Sequence, residues 1–294
     1  MKLEQTLMFC VGATKAGTSW LYQYLHGHDE CALGAVKELH YFDSLDLDNA
    51  GFALKALEKQ AAKWRAVAAA ANGGERDAAL DRVCDAELLG ELIAQGEENT
   101  DGYVAYLTRH ADGKKLVADL TPAYALLSEE RLAQMADLAP DVRVVFIMRD
   151  PLDRLWSHVR MNAKRRLKPG QDIAQKSRNI LNRAVRKNME EGIVARGDYP
   201  VIVEKLKRAV PADRLHITFF EEMITPQGVQ NLCDFLGLTY QPAQTEKRVH
   251  EGIAVKMNDG QKRAAQDYLA PHYAYVEKTF GPLPERWQAN WRKV

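Results

Sequence analysis

The sequence predicts an α/β fold with a central, mainly parallel sheet of about five strands flanked by helices. Short apolar runs of strand length recur between longer segments with helical patterns, and this alternation is typical of parallel sheets. The continuous apolar run Val144–Met148 is typical of a strand that is covered on both faces. The chain has 294 residues and is 46% apolar, which is enough to enclose such a sheet in one core.

Five strand-like runs along the chain predict the strands of this sheet. They are Leu7–Gly12, Cys31–Val36, Lys115–Asp119, Arg143–Met148 and Leu215–Phe220. Helical patterns lie between or after them, at Thr18–Leu25, Glu129–Leu138, Leu152–Arg166, Tyr199–Ala209 and Gln227–Leu236. We therefore expect the strands and helices to form a single domain over residues 1–294.

Two regions interrupt this alternation. Residues 50–110 are rich in Ala, Glu and Lys, with a break at Asn72-Gly73-Gly74, and they predict a helical insertion. Residues 161–196 are basic and polar, with a turn at Lys168-Pro169-Gly170. This second stretch predicts a mobile segment over a site, and a solvated helical face is the alternative interpretation.

Charge and cysteine content narrow the class of protein. Forty basic residues balance forty acidic ones, which argues against nucleic-acid binding. The apolar run Leu7–Val11 is too short for a signal peptide or a membrane span, and no later run approaches the ~18 residues of a span. The cysteines have no metal-site spacing and predict free thiols; they are Cys10, Cys31, Cys84 and Cys233. We therefore expect a cytoplasmic protein without an integral membrane segment.

Residues 9–20 predict an anion-binding loop. A strand runs into a turn that contains Gly12 and Gly17, and a helix begins directly after the turn. Such a turn directs backbone N–H groups at an anion, and the helix N-terminus adds partial positive charge. Thr18 and Ser19 offer hydroxyl donors at the helix start. The sequence therefore predicts a P-loop-like fold of three layers.

This loop departs from the nucleoside-triphosphate loop G-x-x-x-x-G-K-[ST]. Thr18 stands at the position of the lysine, and the only lysine of the loop is Lys15, in its middle. The apolar strand that ends at Met148 continues directly into Arg149, whereas kinase chemistry requires magnesium ligands. A P-loop kinase or nucleotide-hydrolysing enzyme, or a non-catalytic nucleotide-binding protein, is still an alternative on the same fold.

Several segments together resemble those of sulfotransferases that use 3′-phosphoadenosine 5′-phosphosulfate (PAPS). The loop Lys15-Ala16-Gly17-Thr18-Ser19 resembles the one that binds the 5′-phosphosulfate in that family. Arg149 at a strand end, followed eight residues later by Ser157, is similar to the element that binds the 3′-phosphate. Further similar segments are Lys37–Asp43, Asp119–Tyr124, Arg196–Tyr199, Phe219–Met223 and Phe235–Leu238. The first of these places the resemblance nearest to the carbohydrate, heparan sulfate-type and bacterial branch, although Leu120 stands where that family often has lysine or alanine.

The resemblance implies PAPS as the sulfuryl donor and a site without a metal. The implied donor-binding residues are Lys15, Ala16, Gly17, Thr18, Ser19, Arg149, Ser157 and, in a later cofactor loop, Arg248. Lys15 is implied to be catalytic as well, through contact with the bridging oxygen and the leaving 5′-phosphate. The planar fork of Arg149 suits a bidentate contact with the 3′-phosphate.

The acceptor side of the implied site carries two candidates for the base. Glu38 is implied by resemblance to the carbohydrate branch, and His40 is the alternative, because cytosolic small-molecule sulfotransferases use histidine. On an extended segment these two residues project to the same side. Lys37 and Tyr124 are implied to contact the acceptor. We expect that acceptor to be a hydroxyl or an amine of a carbohydrate, glycolipid or small metabolite.

Overall fold

The computed structural model describes residues 3–187, 189–243 and 254–291, and these contain one five-stranded sheet. Its strands are β1 (Thr6–Gly12), β2 (Cys31–Ala32), β3 (Leu116–Asp119), β4 (Val142–Met148) and β5 (Leu215–Phe219). They lie in the order β2-β3-β1-β4-β5, and each neighbouring pair is parallel. The predicted α/β fold with a parallel central sheet flanked by helices is thus confirmed.

The second strand is shorter than the prediction Cys31–Val36, because only Cys31 and Ala32 pair with β3. The backbone that follows bonds to side chains instead of to a strand. The carbonyl oxygen of Gly34 accepts a hydrogen bond from the Tyr22 hydroxyl, and the N–H of Ala35 donates to Asp85. The apolar character of this run therefore reflects burial next to the sheet and not membership of it.

The helices cover the sheet and connect its strands. Up to β4 they are α1 (Thr18–His26), α2 (Tyr41–Asp46), α3 (Ala50–Ala70), α4 (Gly73–Ala94), α5 (Thr100–Thr108) and α6 (Glu129–Ala136). Those after β4 are α7 (Pro151–Arg165), α8 (Ile173–Lys187), α9 (Glu191–Val194), α10 (Tyr199–Ala209), α11 (Phe220–Met223), α12 (Pro226–Leu236), α13 (Asp259–Phe280) and α14 (Glu285–Asn290). Short 3₁₀ turns lie at Pro122–Leu126, Ala195–Gly197 and Ala212–Arg214.

The strand order places β1 and β4 side by side at the centre of the sheet. From β1 the chain passes to β2 on one side, and from β4 it passes to β5 on the other side. In open α/β sheets, ligands bind beyond the carboxyl ends of the strands at such a point of divergence. We therefore expect a ligand-binding site at the residues that follow β1 and β4.

The two unusual regions of the sequence are both helical. Residues 50–110 contain the long helices α3 and α4, which pack against each other, and the shorter α5. Residues 161–196 contain the end of α7 together with α8 and α9. Helix α8 buries Ile180, Leu181 and Ala184, and it packs on α7 and α13. Residues 50–110 are thus helical, and both their origin as an insertion and the mobility of the basic segment are still predictions.

No helix among the described residues has both the length and the apolar character that a membrane span requires.

The C-terminal helices pack against the carboxyl edge of β4 through one indole. Trp287 on α14 is fully buried, and its ring centroid lies 6.2 Å from that of Tyr199, 5.0 Å from Phe219 and 6.1 Å from Tyr273. Tyr273 on α13 donates a hydrogen bond to Asp150, which caps α7. Trp287 thus connects the last helices to the residues that follow β4.

We expect Trp287→Ala to lower the free energy of unfolding by about 3–5 kcal/mol, because it removes a fully buried indole and leaves a cavity. Denaturant unfolding of both proteins measures the difference. Val201→Ala is the matched control, because the Val201 side chain on α10 is 59% exposed and should change stability little. A loss for Trp287→Ala no larger than that of the control would contradict this packing role.

Candidate active site

The loop between β1 and α1 ends at a glycine that packs against a neighbouring aromatic ring. Gly17 precedes α1 with φ of 103°, in the left-handed region that favours glycine. A Cβ at this position would overlap the ring of Phe220, which follows β5. The N–H of Ala13 donates to the carbonyl oxygen of Ile147 on β4 at 2.8 Å. These contacts fix both ends of the loop against the sheet.

The loop presents unused backbone donors. The N–H groups of Lys15, Gly17, Thr18 and Ser19 form no hydrogen bond with any described residue. The last two lie in the first turn of α1, where such groups and the helix dipole favour an anion. Ala16 is still a predicted donor-binding residue, although its N–H already donates to the Ala13 carbonyl oxygen at 3.0 Å. Its side chain is also fully buried.

Arg149 lies directly after β4 and next to this loop. The hydroxyl of Tyr199 donates to the Arg149 carbonyl oxygen at 2.7 Å and accepts from its N–H at 3.0 Å, so the backbone there is fixed from both sides. The guanidinium donates through Nη1 to the carbonyl oxygen of Lys15 at 3.4 Å. It also lies over Phe220, with Cζ 5.9 Å from the ring centroid. The hydroxyl of Ser157, on α7, makes no hydrogen bond with a described residue.

Lys15 joins the loop to the acceptor side of the site. Its side chain is partly buried, and its ammonium forms no ion pair with a described carboxylate. Burial lowers the pKa of Lys15, the charge of Lys37 lowers it further, and Glu38 acts in the opposite direction. Arg149 also lowers the pKa of this lysine. The charges that follow β1, β2 and β4 therefore act on one another in a single site.

Glu38 and His40 lie side by side, although the backbone at His40 is left-handed, with φ of 55°, and not extended. The Nε2 atom of His40 lies 3.6 Å from Oε2 of Glu38, and its Nδ1 lies 2.8 Å from Oδ2 of Asp43. The other carboxylate oxygen of Glu38 pairs with the Lys37 ammonium at 2.7 Å. Asn49 donates to the same Asp43 oxygen at 2.5 Å. The carboxylate of Glu38 thus lies between two cationic groups, with its side chain 41% exposed.

The two ionisable groups of this pair have opposite pKa shifts. Burial alone would lower the pKa of His40, but its hydrogen bond with Asp43 and the nearby Glu38 carboxylate outweigh burial and raise the pKa to about 9. Burial alone would raise the pKa of Glu38, but the neighbouring His40 imidazole and the charge of Lys37 bring it down to about 2. At neutral pH the imidazole is therefore protonated and the carboxylate is ionised.

A buried hydrogen-bond network holds the Glu38–His40 segment from behind. Asp119, at the carboxyl end of β3, accepts hydrogen bonds from the hydroxyls of Thr121, Tyr124 and Tyr103 at 2.6, 2.7 and 2.8 Å. Thr121 Oγ1 in turn accepts from the N–H groups of Leu39 at 2.8 Å and His40 at 3.3 Å. The carboxylate, fully buried itself, thus fixes the backbone from which both candidate bases project.

Both residues that were predicted to contact the acceptor have partners within the protein. Tyr124 is fully buried, and its hydroxyl donates to Asp119 and accepts from the N–H of Tyr41 at 3.1 Å. It supports the site from behind and presents no surface to an acceptor in this conformation. Lys37 is not a free cation, because it pairs with Glu38. Arg248 lies outside the described residues.

Sequence reasoning missed several residues of the site. Asp43, Thr121, Asp119 and Tyr199 lie within segments that resemble those of the family, but no feature of the sequence assigns them a role. Their short hydrogen bonds to site residues are created by folding, so no spacing in the sequence marks them. Asp43 follows His40 by three residues, which on a helical turn is the one available local signal.

The cationic and hydrogen-bond-donating groups of this site fit a phosphorylated nucleotide. Unused N–H groups at a helix N-terminus, a lysine without an ion pair and an arginine at a strand end are the groups that bind phosphate oxygens. Within residues 3–187, 189–243 and 254–291, no group of three or more His, Cys, Asp or Glu side chains is arranged to hold a metal ion.

Comparisons with known proteins agree with this geometry. A model of the sulfotransferase family matches residues 8–242, which include the loop, Glu38, His40, Arg149 and Ser157. No curated protein sequence matches the chain significantly.

Two solved structures cover most of this chain. A sulfotransferase from Alicyclobacillus acidocaldarius superimposes with a TM-score of 0.63 at 18% identity, over 97% of this chain and 100% of that chain. The sulfotransferase domain of the Synechococcus PCC 7002 olefin synthase gives a TM-score of 0.49 at 16% identity, over 97% and 98% of the two chains. The first of these likenesses shows a shared fold.

We expect the His40 imidazole to titrate with a midpoint of about 9. Since this folded pKa lies above the ~6.5 of an unfolded histidine, its contribution to stability is complete below pH ~6.5 and is lost as pH rises to about 9. NMR of histidine-labelled protein between pH 5 and 10 measures the midpoint, with His40→Gln to assign the signal. A midpoint at or below the unfolded value would contradict the charged Glu38–His40–Asp43 arrangement.

Proposed function

The chain belongs to the sulfotransferase family, and we propose that it transfers a sulfuryl group from PAPS to a hydroxyl or an amine of an acceptor. The observation that carries this proposal is the convergence of three elements beyond the carboxyl ends of β1, β2 and β4. They are the loop with its unused N–H groups and Lys15, the Arg149 guanidinium, and the Glu38–His40 pair. The first two suit a donor with two phosphate groups, and the third suits removal of an acceptor proton.

The donor-binding roles follow from the chemistry of each group. The N–H groups of Lys15, Gly17, Thr18 and Ser19 would surround the 5′-phosphate, with the hydroxyls of the last two as further donors. Arg149 and Ser157 would hold the 3′-phosphate, which distinguishes PAPS from ordinary adenine nucleotides. Their free hydrogen-bonding capacity supports these roles, and the fixed backbone of Arg149 favours a defined geometry.

The reaction forms one bond to sulfur and breaks another. The acceptor oxygen or nitrogen attacks the sulfur, the bond between sulfur and the bridging oxygen breaks, and the electron pair leaves on the 5′-phosphate. The acceptor loses its proton to a base, and 3′-phosphoadenosine 5′-phosphate (PAP) is released. Lys15 would stabilise the charge that develops on the leaving phosphate, because it lies within the loop and its ammonium forms no ion pair with a described carboxylate.

Glu38 is the better of the two candidate bases. His40 is protonated at neutral pH and cannot accept a proton, whereas Glu38 is ionised. With a pKa of about 2, Glu38 is a weak base in the free protein. An anionic donor bound at Lys15 places negative charge near Glu38 and raises its pKa, so donor binding would strengthen the base. In this scheme His40 orients the carboxylate.

The acceptor side favours a small molecule or a sugar. Phe52 is 52% exposed, and its ring stands edge-on to the His40 imidazole with centroids 5.8 Å apart. An exposed aromatic ring beside the proposed base can pack against an apolar or carbohydrate acceptor. A carbohydrate, glycolipid or small-metabolite hydroxyl is thus our proposed acceptor class, and closeness to the heparan sulfate-type branch is still a prediction from the Lys37–Asp43 segment.

The donor assignment predicts that the protein binds PAP and discriminates against ADP and ATP–magnesium, because only PAP carries the 3′-phosphate. Arg149→Ala should weaken PAP binding about a hundredfold, since it removes a charge-assisted contact from a partly buried site. Titration calorimetry on both proteins measures the affinities. Arg208→Ala is the control, because Arg208 is exposed and pairs with Glu129 on another surface. Equal affinity for PAP and ADP, or preference for ATP–magnesium, would contradict the sulfotransferase proposal.

The base assignment predicts that Glu38→Gln lowers kcat for sulfuryl transfer about 10²–10⁴-fold, because the amide cannot accept the proton. PAP affinity should fall no more than about threefold, since Glu38 makes no contact proposed for the donor. Rates of PAP formation are measured with an acceptor selected from a panel of hydroxyl and amine compounds. Glu129→Gln is the control on the distant surface. If His40→Gln abolished turnover and Glu38→Gln did not, the two roles would be reversed.

A further inference from the structure

Arg154, near the start of α7, is buried next to the loop between β1 and α1, and it has no anionic partner among the described residues. Its side chain is among the largest fully buried ones, and the residue is 2% exposed. Its Nη1 donates to the carbonyl oxygen of Thr14 at 3.4 Å, and its Nε has no hydrogen-bond partner in the described part of the chain. No described carboxylate forms an ion pair with it, and burial lowers its pKa.

The surroundings of this guanidinium keep it in place but do not neutralise it. Gly197 lies against it so closely that a Cβ there would overlap the guanidinium. His158, one turn further along α7, is 4% exposed and its Nδ1 has no described partner. Burial and the charge of Arg154 lower the pKa of His158 to about 2, so this neighbour is neutral. The buried positive charge of Arg154 is therefore uncompensated by the described residues.

An uncompensated buried guanidinium is unfavourable for folding. Arginine keeps its proton at every pH that proteins experience, so it cannot escape burial by becoming neutral. Removal of charge from water is compensated only by an opposite charge or by good hydrogen bonds. The single long hydrogen bond of Arg154 is a weak compensation. An anion that binds at the loop would supply the missing negative charge.

The hydrogen bond from Arg154 to Thr14 also sets the direction of the Lys15 N–H in the loop. In a trans peptide, the carbonyl oxygen and the following N–H point in opposite directions. Since Arg154 holds the Thr14 carbonyl oxygen, the N–H of Lys15 points away from Arg154, and it has no partner among the described residues. Arg149 holds the next carbonyl oxygen, that of Lys15, in the same way. Two arginines thus orient successive peptide groups of the loop.

We propose that Arg154 is a positioning residue of the donor site, which orients the loop through Thr14 and whose buried charge is compensated by the phosphosulfate of the bound donor. This inference rests on the proposed function, because it takes PAPS as the anion. It assigns Arg154 no contact with the donor. Its effect is exerted through the Thr14–Lys15 peptide group and through the electrostatic potential beneath the loop.

The alternative is that Arg154 only stabilises the fold, and the two roles predict opposite effects on the free protein. If Arg154 serves the donor site, a neutral side chain of similar length removes an uncompensated charge, and the ligand-free protein becomes equally or more stable. If Arg154 is only structural, the same substitution lowers stability. PAP binding distinguishes the two roles further, because only a role in the donor site predicts that the substitution weakens PAP binding.

Arg154→Met tests this proposal by two measurements on the full chain, thermal unfolding without ligand and calorimetric binding of PAP. We expect a Tm equal to or above that of wild type, and PAP affinity weakened about ten- to a hundredfold. Arg208→Met, at an exposed arginine, is the matched control and should leave PAP affinity unchanged. A Tm clearly below wild type, failure to fold, or unchanged PAP affinity would each overturn the proposal.

Gly197→Ala provides a second test through the same contact. Gly197 has no positive φ, so alanine is compatible with its backbone, but the added Cβ displaces the guanidinium. We expect weaker PAP binding in wild-type background and little further loss when Gly197→Ala is combined with Arg154→Ala, where the displaced group is absent. Full additivity of the two losses would overturn the proposal. If wild type itself failed to bind PAP, the proposed function would fail, and this outcome is distinct from PAP binding that is insensitive to Arg154.

Discussion

The backbone hydrogen bond from Ala13 to Ile147, at 2.8 Å, continues the parallel pairing of β1 with β4 into the loop that follows β1. Because parallel strands bring their carboxyl ends to the same edge, the loop and Arg149 lie together although they are more than a hundred residues apart in sequence. Phe220, after β5, packs on both Gly17 and the Arg149 guanidinium. The donor half of the site thus depends on the register of the central strands.

Two buried hydrogen-bond networks hold the backbone from which the side chains of the candidate site project. Asp119 ends β3 and organises Thr121 and Tyr124, which hold the backbone around His40. Tyr199 fixes the backbone of Arg149 and is itself packed against Trp287. Buried polar groups that satisfy one another in this way are rigid and specify a single arrangement. The site residues therefore project from backbone that is fixed by side chains behind it.

Charges are balanced by ion pairs at one side of the site and are not balanced at the other. On the acceptor side Glu38 is balanced by Lys37 and His40, which keeps the carboxylate ionised. On the donor side Lys15 and Arg154 form no ion pair with a described carboxylate. A site with this imbalance attracts and stabilises an anion, and its own stability increases when the anion binds. The proposed anionic donor would offset the charge of these two groups.

The sequence by itself determined the order of the strands, most helices and the glycine-containing turn between β1 and α1, because local periodicity and turn chemistry decide these features. Glu38 and His40 are two residues apart in the sequence, and their side chains are neighbours in the structure. Only the tertiary structure decided that Tyr124 is buried behind the site, that the Ala16 N–H is already used, and that Arg154 lies unpaired beneath the loop. Burial and pairing depend on contacts between distant segments, and no local pattern in the chain records which partners folding brings together.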